Sequence, residues 1–590
     1  MRSQCNHTAP TGPHRVELHK HPGMLYAAAM VHRTVSMKCP LASFARMLTL
    51  AAMLFVSACQ SIDPADEYGP LAAAAAAGNE VAVADLRRAF LADPEFNERM
   101  QRLAPLERQA MQLLADEPLK LGAIGSAILD IYYGSVAGHY ALLKFYEHVE
   151  VDDGAAEHRV WLERIDAAIR ERADGTRAGP YHVVSASEAL AFLRVNELTP
   201  VGSMYHSTDE VPFLMLVIAR PQEGRLDNVY FDLTEAYRAV EVSIDHADAD
   251  ETFSPGVLIG YLAQRDDSAA QASIGAYLFA RDQYDAAADW LTAATRTGNI
   301  LANLLLARVY QTRADTLEGK PHGDAMDFAL EHYLHAVVVG SDEAMFALGG
   351  LYLDGDYGAD NVASGAALLK QAAGLENTDA MVWLAHLHSV GTHVDLDLDA
   401  AADYYRRACS LGDTRARLQY ARFLLIHSEQ REFDPDAVEW LKQDAKLDEP
   451  EAMLLLGNLY ARGVGVSTSY RRSLRWFKDA VSNAPDDANI VNEVAWALTV
   501  TNLDRLRNPD YALRIMERIM TTDGQARQNP AYLDTWAAAY AANGKFERAI
   551  TVQVEAVSAA EALEQVEVIE ILREHLDAFE NGQTIIDAVP

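Results

Sequence analysis

AMFALGGLY (344–352), AMVWLAHLH (380–388), ARLQYARFL (416–424) and AMLLLGNLY (452–460) open on alanines spaced 36 residues apart. Leu368, Tyr404, Trp440 and Trp476 stand 24 residues after those alanines, and Ala372, Ala408, Asp444 and Ala480 stand 28 after them. Apolar residues recur at intervals of three and four inside both stretches, which is the period of an amphipathic helix. Gly355, Gly358, Gly391, Gly463 and Gly465 break the chain between them. Each repeat is therefore a helical hairpin. One hairpin cannot bury two apolar stripes, whereas stacked hairpins can, so the segment reads as a solenoid with nearest-neighbour contacts.

LGNLYARGVGVSTSYRRSLRWFKDAV (456–481) resembles a Sel1-like repeat, a relative of the tetratricopeptide repeat with a longer, glycine-containing loop. Two weaker copies precede the regular four: AQASIGAYL from Ala270, with its second helix near Trp290, and ANLLLARVY from Ala302, with its second helix near Tyr333. The copy at Ala416 departs from the pattern, with Tyr420 for the usual leucine and no glycine-rich loop. Beyond residue 486, Leu533, Tyr540, Ala549 and Ala556 stand at intervals of 7, 9 and 7, and YLDTWAAAYAANGKFERAI (532–550) resembles the tetratricopeptide repeat, with VNEVAWALTV before it as partner. The tail from about Leu572 reads as a capping helix.

Alanine-rich helical periodicity runs from about Glu80 to Arg172, and SAILDIYYGSVAGHYALLKFYEHV (126–149) reads as another hairpin. Between Tyr181 and Thr234 the period changes. HVVS, VGSMYH, PFLMLVIAR and DNVYFDL read as strands, Ser185 to Glu188 as a capping box opening a short helix, and Pro221 with Gly224 as a turn. The expected fold class is mainly α: an α-solenoid of Sel1-like and tetratricopeptide hairpins with a small inserted α+β domain. The expected divisions are a leader and signal peptide at 1–58, an N-terminal helical region at 59–180, the α+β domain at 181–252, the Sel1-like solenoid at 253–485, and tetratricopeptide-like hairpins with a capping helix at 486–590.

The chain has 590 residues, half of them hydrophobic, with 50 Lys+Arg against 85 Asp+Glu. That is a globular composition too long for one core. Removing the first 58 residues, which hold six Lys/Arg and Glu17, leaves 44 basic and 84 acidic side chains, net -40. Such a body repels phosphate backbones, and no local basic stripe stands out, so nucleic acid is not an expected partner.

Met47 to Val56 form a largely apolar run of ten behind Lys38 and Arg46, too short to span a bilayer but suited to a secretory signal. Val56-Ser57-Ala58-Cys59 resembles the lipobox of bacterial lipoproteins. The resemblance implies cleavage before Cys59, acylation of its sulfur, and, since Gln60 and not Asp follows, an outer-membrane location on the periplasmic face. The leader before Met37 is unlike a signal peptide, so translation is expected to begin at Met37. Of four cysteines only Cys409 then remains as a free thiol.

No P-loop, G-x-S-x-G, H-E-x-x-H or paired C-x-x-C occurs. His386, His388 and His393 suggest a metal site by proximity, but His386 and His388 point apart on a helix. Asp395, Asp397 and Asp399 alternate like a calcium loop, yet Ala400 replaces its glycine and Arg406 its final glutamate, so they read as acids leading into a helix. Asp245, Asp248, Asp250 and Glu251 read as an exposed linker, and His182, Tyr205, His206 and Asp209 are the one group that could form an acid–base set. The expectation is no metal, no cofactor and no catalytic residue.

The residue after the small Ala or Gly of each first helix varies while its neighbours stay apolar: Arg308, Gly350, His386, Arg422 and Asn458. In tetratricopeptide-like stacks this place faces the concave groove, so Arg308, His386, Arg422 and Asn458 are the candidate groove residues, with the two arginines suited to an acidic peptide or polysaccharide. Trp440, Trp476, Tyr352 and Tyr460 read as packing residues. The resemblance implies an outer-membrane-anchored periplasmic scaffold that holds envelope proteins through its groove and the membrane through its lipid, in envelope or exopolysaccharide export assembly. The alternatives are an envelope enzyme with residues 181–234 as active module, or a periplasmic chaperone-like adaptor.

Overall fold

A computed structural model describes residues 68–587 apart from 115–116, 209, 244–253, 355–360 and 430–431. Cys59, the signal segment, the acidic linker around Asp248, Asp209, Gly355 and Gly358 lie outside the described residues. The chain divides into two compact units, Met1–Asp356 and Tyr357–Pro590, a division that falls inside the first regular repeat.

Among the described residues, the first unit opens with six helices: α1 (Tyr68–Ala76), α2 (Val83–Leu91), α3 (Phe96–Leu113), α4 (Pro118–Ile131), α5 (Val136–His148) and α6 (Asp152–Ile169). The hairpin expected at 126–149 is α4 with α5. A four-stranded sheet follows, built from β1 (Tyr181–His182), β2 (Thr199–His206), β3 (Leu214–Arg220) and β4 (Asp227–Asp232), with α7 (Ala186–Val195) between β1 and β2. Its order is β1-β4-β3-β2, with β1 parallel to β4 and the other pairs antiparallel. Gly224, at φ +102°, turns β3 into β4. Ser185 caps α7 by accepting from the Glu188 N–H, but the Glu188 carboxylate accepts from Val184 and not from Ser185.

β3 is apolar and buried along its length up to Arg220, as a strand covered on both faces should be. Phe213, Met215, Val217 and Ala219 join one core with α1–α7, and that core continues without a break from Tyr68 to Ala270. The sheet is thus packed into its flanking helices. α8 (Thr234–Ser243) and α9 (Pro255–Ala263) lead to the hairpins α10 (Ser268–Phe279) with α11 (Tyr284–Thr295) and α12 (Ile300–Ala314) with α13 (Lys320–Val339), and α14 (Asp342–Leu353) ends the unit.

The open edge of β2 is closed by these hairpins. Asn299, the cap of α12, accepts from the Ser203 N–H and donates to the Ser203 carbonyl, at 3.3 and 2.9 Å. Ser273 on α10 accepts from the Tyr205 N–H at 2.8 Å. Gly202 allows the approach, since a Cβ there would lie 2.6 Å from Ile300. An exposed edge is a template for unwanted pairing, and here side chains satisfy it.

The described part of the second unit is built from helices, α15 (Val362–Gly374), α16 (Thr378–Val390), α17 (Leu398–Ser410), α18 (Thr414–Ile426), α19 (Pro435–Lys446), α20 (Pro450–Arg462), α21 (Tyr470–Asn483), α22 (Ala488–Val500), α23 (Pro509–Thr522), α24 (Pro530–Ala542), α25 (Phe546–Ala562) and α26 (Val566–Glu580), with one isolated β-bridge between Thr501 and Asp587. Each packs on its neighbours in sequence, and the first helices α16, α18, α20, α22 and α24 also contact one another in turn. The fold is an α-solenoid of Sel1-like and tetratricopeptide hairpins carrying a small sheet.

The four repeated alanines are completely buried. In three repeats the residue three places earlier caps the helix onto that alanine's N–H: Ser341 at 3.1 Å, Asn377 at 2.8 Å and Asp413 at 2.9 Å. Gly391 and Gly463 end α16 and α20 with φ of 77° and 72°. Leu533, Tyr540, Ala549 and Ala556 are all buried, and Leu572 and Phe579 seat α26 as the cap expected at the end of the stack.

The second-helix stripe differs from the sequence reading by one residue. Leu368, Tyr404, Trp440 and Trp476 are only half-buried, whereas Leu369, Tyr405, Leu441 and Phe477 are buried. Tyr352 is likewise half-buried, and Tyr460 is buried. The reason is packing: the buried set lies on the same face as Ala372, Ala408, Asp444 and Ala480, three residues further on.

The irregular third repeat is stabilised by its own polar pairs. Asp444 sits where the others have alanine, is 2 % exposed, and meets Arg417 at 2.8 Å. The Tyr420 hydroxyl donates to Asp434 at 3.0 Å, and Arg406 reaches the same carboxylate at 3.0 Å. Burial and the Asp434 charge hold the Tyr420 pKa up. Cys409 is buried beside these groups as a free thiol, and burial pushes its pKa up to about 12, so it is poorly suited to act as a nucleophile.

Candidate functional site

The first-helix face of the second unit presents a row of polar side chains between buried apolar ones. His386 on α16 is exposed, yet crowding by its neighbours lowers its pKa. Arg422 on α18 is exposed and meets Glu451 of α20 at 2.7 Å. Glu493 on α22 is also reachable by water while desolvation raises its pKa, with Arg422 opposing that rise. Water reaches these groups, while the side chains around them take away part of their hydration. Tyr532 of α24 donates to Asn489 of α22 and continues the row.

Of the four groove residues expected from the sequence, His386 and Arg422 share this face. Asn458 is buried, with its Oδ1 unpartnered, on a helix packed against both α21 and α22. Arg308 is half-buried on α12 and belongs to the first unit. Arg422 is neutralised by Glu451, so the face is of mixed charge and not a cationic slot.

The other expected clusters fall apart. His182 stands on β1 and pairs with Asp232 at 3.4 Å, while Tyr205 and His206 stand on β2, the opposite edge of the sheet. Tyr205 donates to Asp267 at 3.4 Å, and burial draws the His206 pKa down to about 4. His388 bonds the Asp395 carbonyl, and Asp397 caps α17 through the Asp399 and Ala400 N–H groups. Among the described residues no group of three His, Cys, Asp or Glu side chains is placed to hold a metal ion. No described helix is long and apolar enough to cross a membrane.

Sequence reading missed two polar clusters buried in the first unit. In one, His139 Nε2–H donates to the Tyr133 carbonyl at 2.8 Å, which leaves its Nδ1 to accept from His158 at 3.0 Å. His139 also stacks on Trp161, and His158 on Tyr146. Burial draws the His139 pKa down to about 3, and that of His158 is lowered by the same cause. In the other, Arg87 meets Glu188 at 2.6 Å, and Ser135 donates to Glu107 at 2.7 Å. Burial pushes Glu107 up to about 8, so it is protonated at neutral pH.

The histidine pair sets a pH dependence. A histidine whose folded pKa is depressed contributes stability above its unfolded value near 6.5, and that contribution is lost as pH falls from 6.5 towards 3. Between pH 7 and pH 5 the melting temperature should therefore drop less in His139→Gln, which keeps the donor to Tyr133 without the ionisation, than in the unaltered chain. An equal drop in a near-ultraviolet dichroism melt would assign the acid sensitivity to other groups.

The Sel1 repeat pattern matches residues 342–377, 378–413 and 450–483, passing over the irregular third repeat. No curated protein matches the chain in sequence. Among solved structures, a Sel1 repeat protein from Oxalobacter formigenes is 22% identical, with a TM-score of 0.33 over 42% of this chain and 98% of its own. A protective antigen of uropathogenic Escherichia coli with an SLR fold is 17% identical, with a TM-score of 0.39 over 56% of this chain and 71% of its own. Yeast Tom70 is 10% identical, with a TM-score of 0.34 over 80% and 96%. From helix pairing, alanine spacing and pattern match together, this chain carries three Sel1 repeats, at 342–377, 378–413 and 450–483.

Proposed function

We propose that the protein is a lipid-anchored scaffold of the bacterial envelope that holds a partner protein against the first-helix face of its second unit. Sel1 and tetratricopeptide arrays are interaction scaffolds, and the partly desolvated row His386, Arg422–Glu451 and Glu493 is the observation that carries the reading here. Mixed charge on this face suits a partner segment bearing both signs, because each charge covered on binding needs a complement. The anchor rests on Val56-Ser57-Ala58-Cys59 and the outer-membrane place on Gln60 after it, while the export assembly rests on the likeness of an anchored repeat array to the lipoproteins that support exopolysaccharide export. Two acyl chains hold a protein at a bilayer where one does not.

A photo-crosslinking residue placed at His386 should yield one or two discrete adducts in cells, and the same residue at Asp403, exposed on α17, should not yield those adducts. Labelled palmitate should enter the chain and be lost with Cys59→Ser. Many weak adducts at His386 would favour a chaperone-like adaptor, and none would remove this face from consideration.

A further inference from the structure

From Ala452 to Lys478 the chain runs 27 residues without an acid, in a protein where 85 of 590 residues are acidic. That stretch holds Arg462, Arg471, Arg472, Arg475 and Lys478. On α21, Arg471, Arg475 and Lys478 follow one another at four and three residues, so they share one helix face, opposite the buried Ser473, Phe477 and Ala480. All three are exposed, and among the described residues none is in an ion pair. Arg505 and Arg514 extend the same basic surface, also exposed and unpaired among the described residues.

Aromatic rings fix part of this surface. The Lys478 ammonium and the Arg514 guanidinium both lie over the Tyr511 ring, at 5.3 and 5.4 Å from its centre, and Arg472 lies over Tyr460 at 5.4 Å. Asp479 is the acid nearest Tyr511 on α21, and it opposes Arg514 there. At the other end of the helix, Arg471 and Arg505 line a hollow of about 530 Å³ with Thr468, Ser469, Tyr470 and Leu474. Its charged and hydroxyl groups can all donate, and no carboxylate lines it, so it is chemically an acceptor site for oxyanions.

We propose that this second-helix surface docks an acidic peptide segment of a partner protein in extended form. Arg471 and Arg475 are one helical turn apart, a rise of about 6 Å. Alternate side chains of an extended strand recur at about 6.6 Å, so carboxylates at every second position meet successive cations of α21. The Tyr511 face already holds Lys478 and Arg514, which lowers the ordering cost of binding. Elsewhere the body is strongly acidic and repels nucleic acid and anionic lipid at long range, whereas a short peptide meets only the local field.

A fluorescein-labelled decapeptide of alternating Glu and Ser, titrated with the full-length protein, should bind with an affinity that falls as salt rises. Arg471→Glu/Arg475→Glu/Lys478→Glu should weaken it by roughly thirtyfold or more, from three exposed pairs. Arg471→Lys/Arg475→Lys should keep most of the binding, and His386→Glu should leave it unchanged, which separates this surface from the first-helix face. Equal binding by the triple variant, equal binding of a Lys-Ser decapeptide, or tighter binding of a DNA oligonucleotide or a phosphatidylglycerol vesicle would each overturn the proposal.

Discussion

Phe477→Ala is expected to destabilise the second unit by about 3–5 kcal/mol, while Trp476→Ala, its larger neighbour, is expected to stay below about 1.5 kcal/mol. Phe477 is completely buried, and its ring fills the space over Gly457, where a Cβ would approach to 2.4 Å. Removing the ring opens a cavity that α20 and α21 cannot collapse into, because their backbones are held by the hairpin on either side. Trp476 is half in water with the Arg475 guanidinium over it at 5.3 Å, so truncation there leaves no void. Urea unfolding of the full chain, with amide exchange read over residues 450–483, distinguishes the two. If Trp476→Ala were the more damaging, the helix would be rotated from the orientation described above.

Arg87→Met is expected to weaken the first unit by about 3–5 kcal/mol, the effect of leaving a buried carboxylate without its counter-charge. Glu188 is 1 % exposed, and Arg87 of α2 meets it at 2.6 Å while also donating to the His182 carbonyl of β1 at 2.9 Å. Adding Glu188→Gln removes the orphaned charge and keeps an acceptor for Val184, so the double variant should recover much of the loss. Amide exchange across residues 83–91 and 186–195 reports both. A double variant no more stable than Arg87→Met would mean that the loss comes from packing of the arginine stem and not from charge.

What sequence disclosed was whatever repeats. The 36-residue alanine ladder exposed the hairpins, their glycine stops and the weaker copies at Ala270 and Ala302, because a local period needs no knowledge of distant contacts. The one-residue slip between Trp476 and Phe477 arose where two bulky residues are adjacent and the period cannot choose between them. The caps Ser341, Asn377 and Asp413 repeat at the same interval as the alanines and were visible in principle. Arg417 and Asp444 could have been paired too, since one is an acid standing in an alanine position. The His139–His158 contact and the closure of β2 by Asn299 join segments far apart in sequence, and no periodicity announces them. The cations of α21 were hidden by averaging over an acidic chain, although a 27-residue gap between acids marks them.

Asn299 and Ser273 splice a sheet margin onto the opening rungs of a helical ladder. Ladders of this kind ordinarily need a dedicated polar lid to keep the leading rung dry, and here the β-structure is that lid. Within the first unit the leading hairpins and the sheet margin therefore shield each other from water, so that losing either would leave the other open.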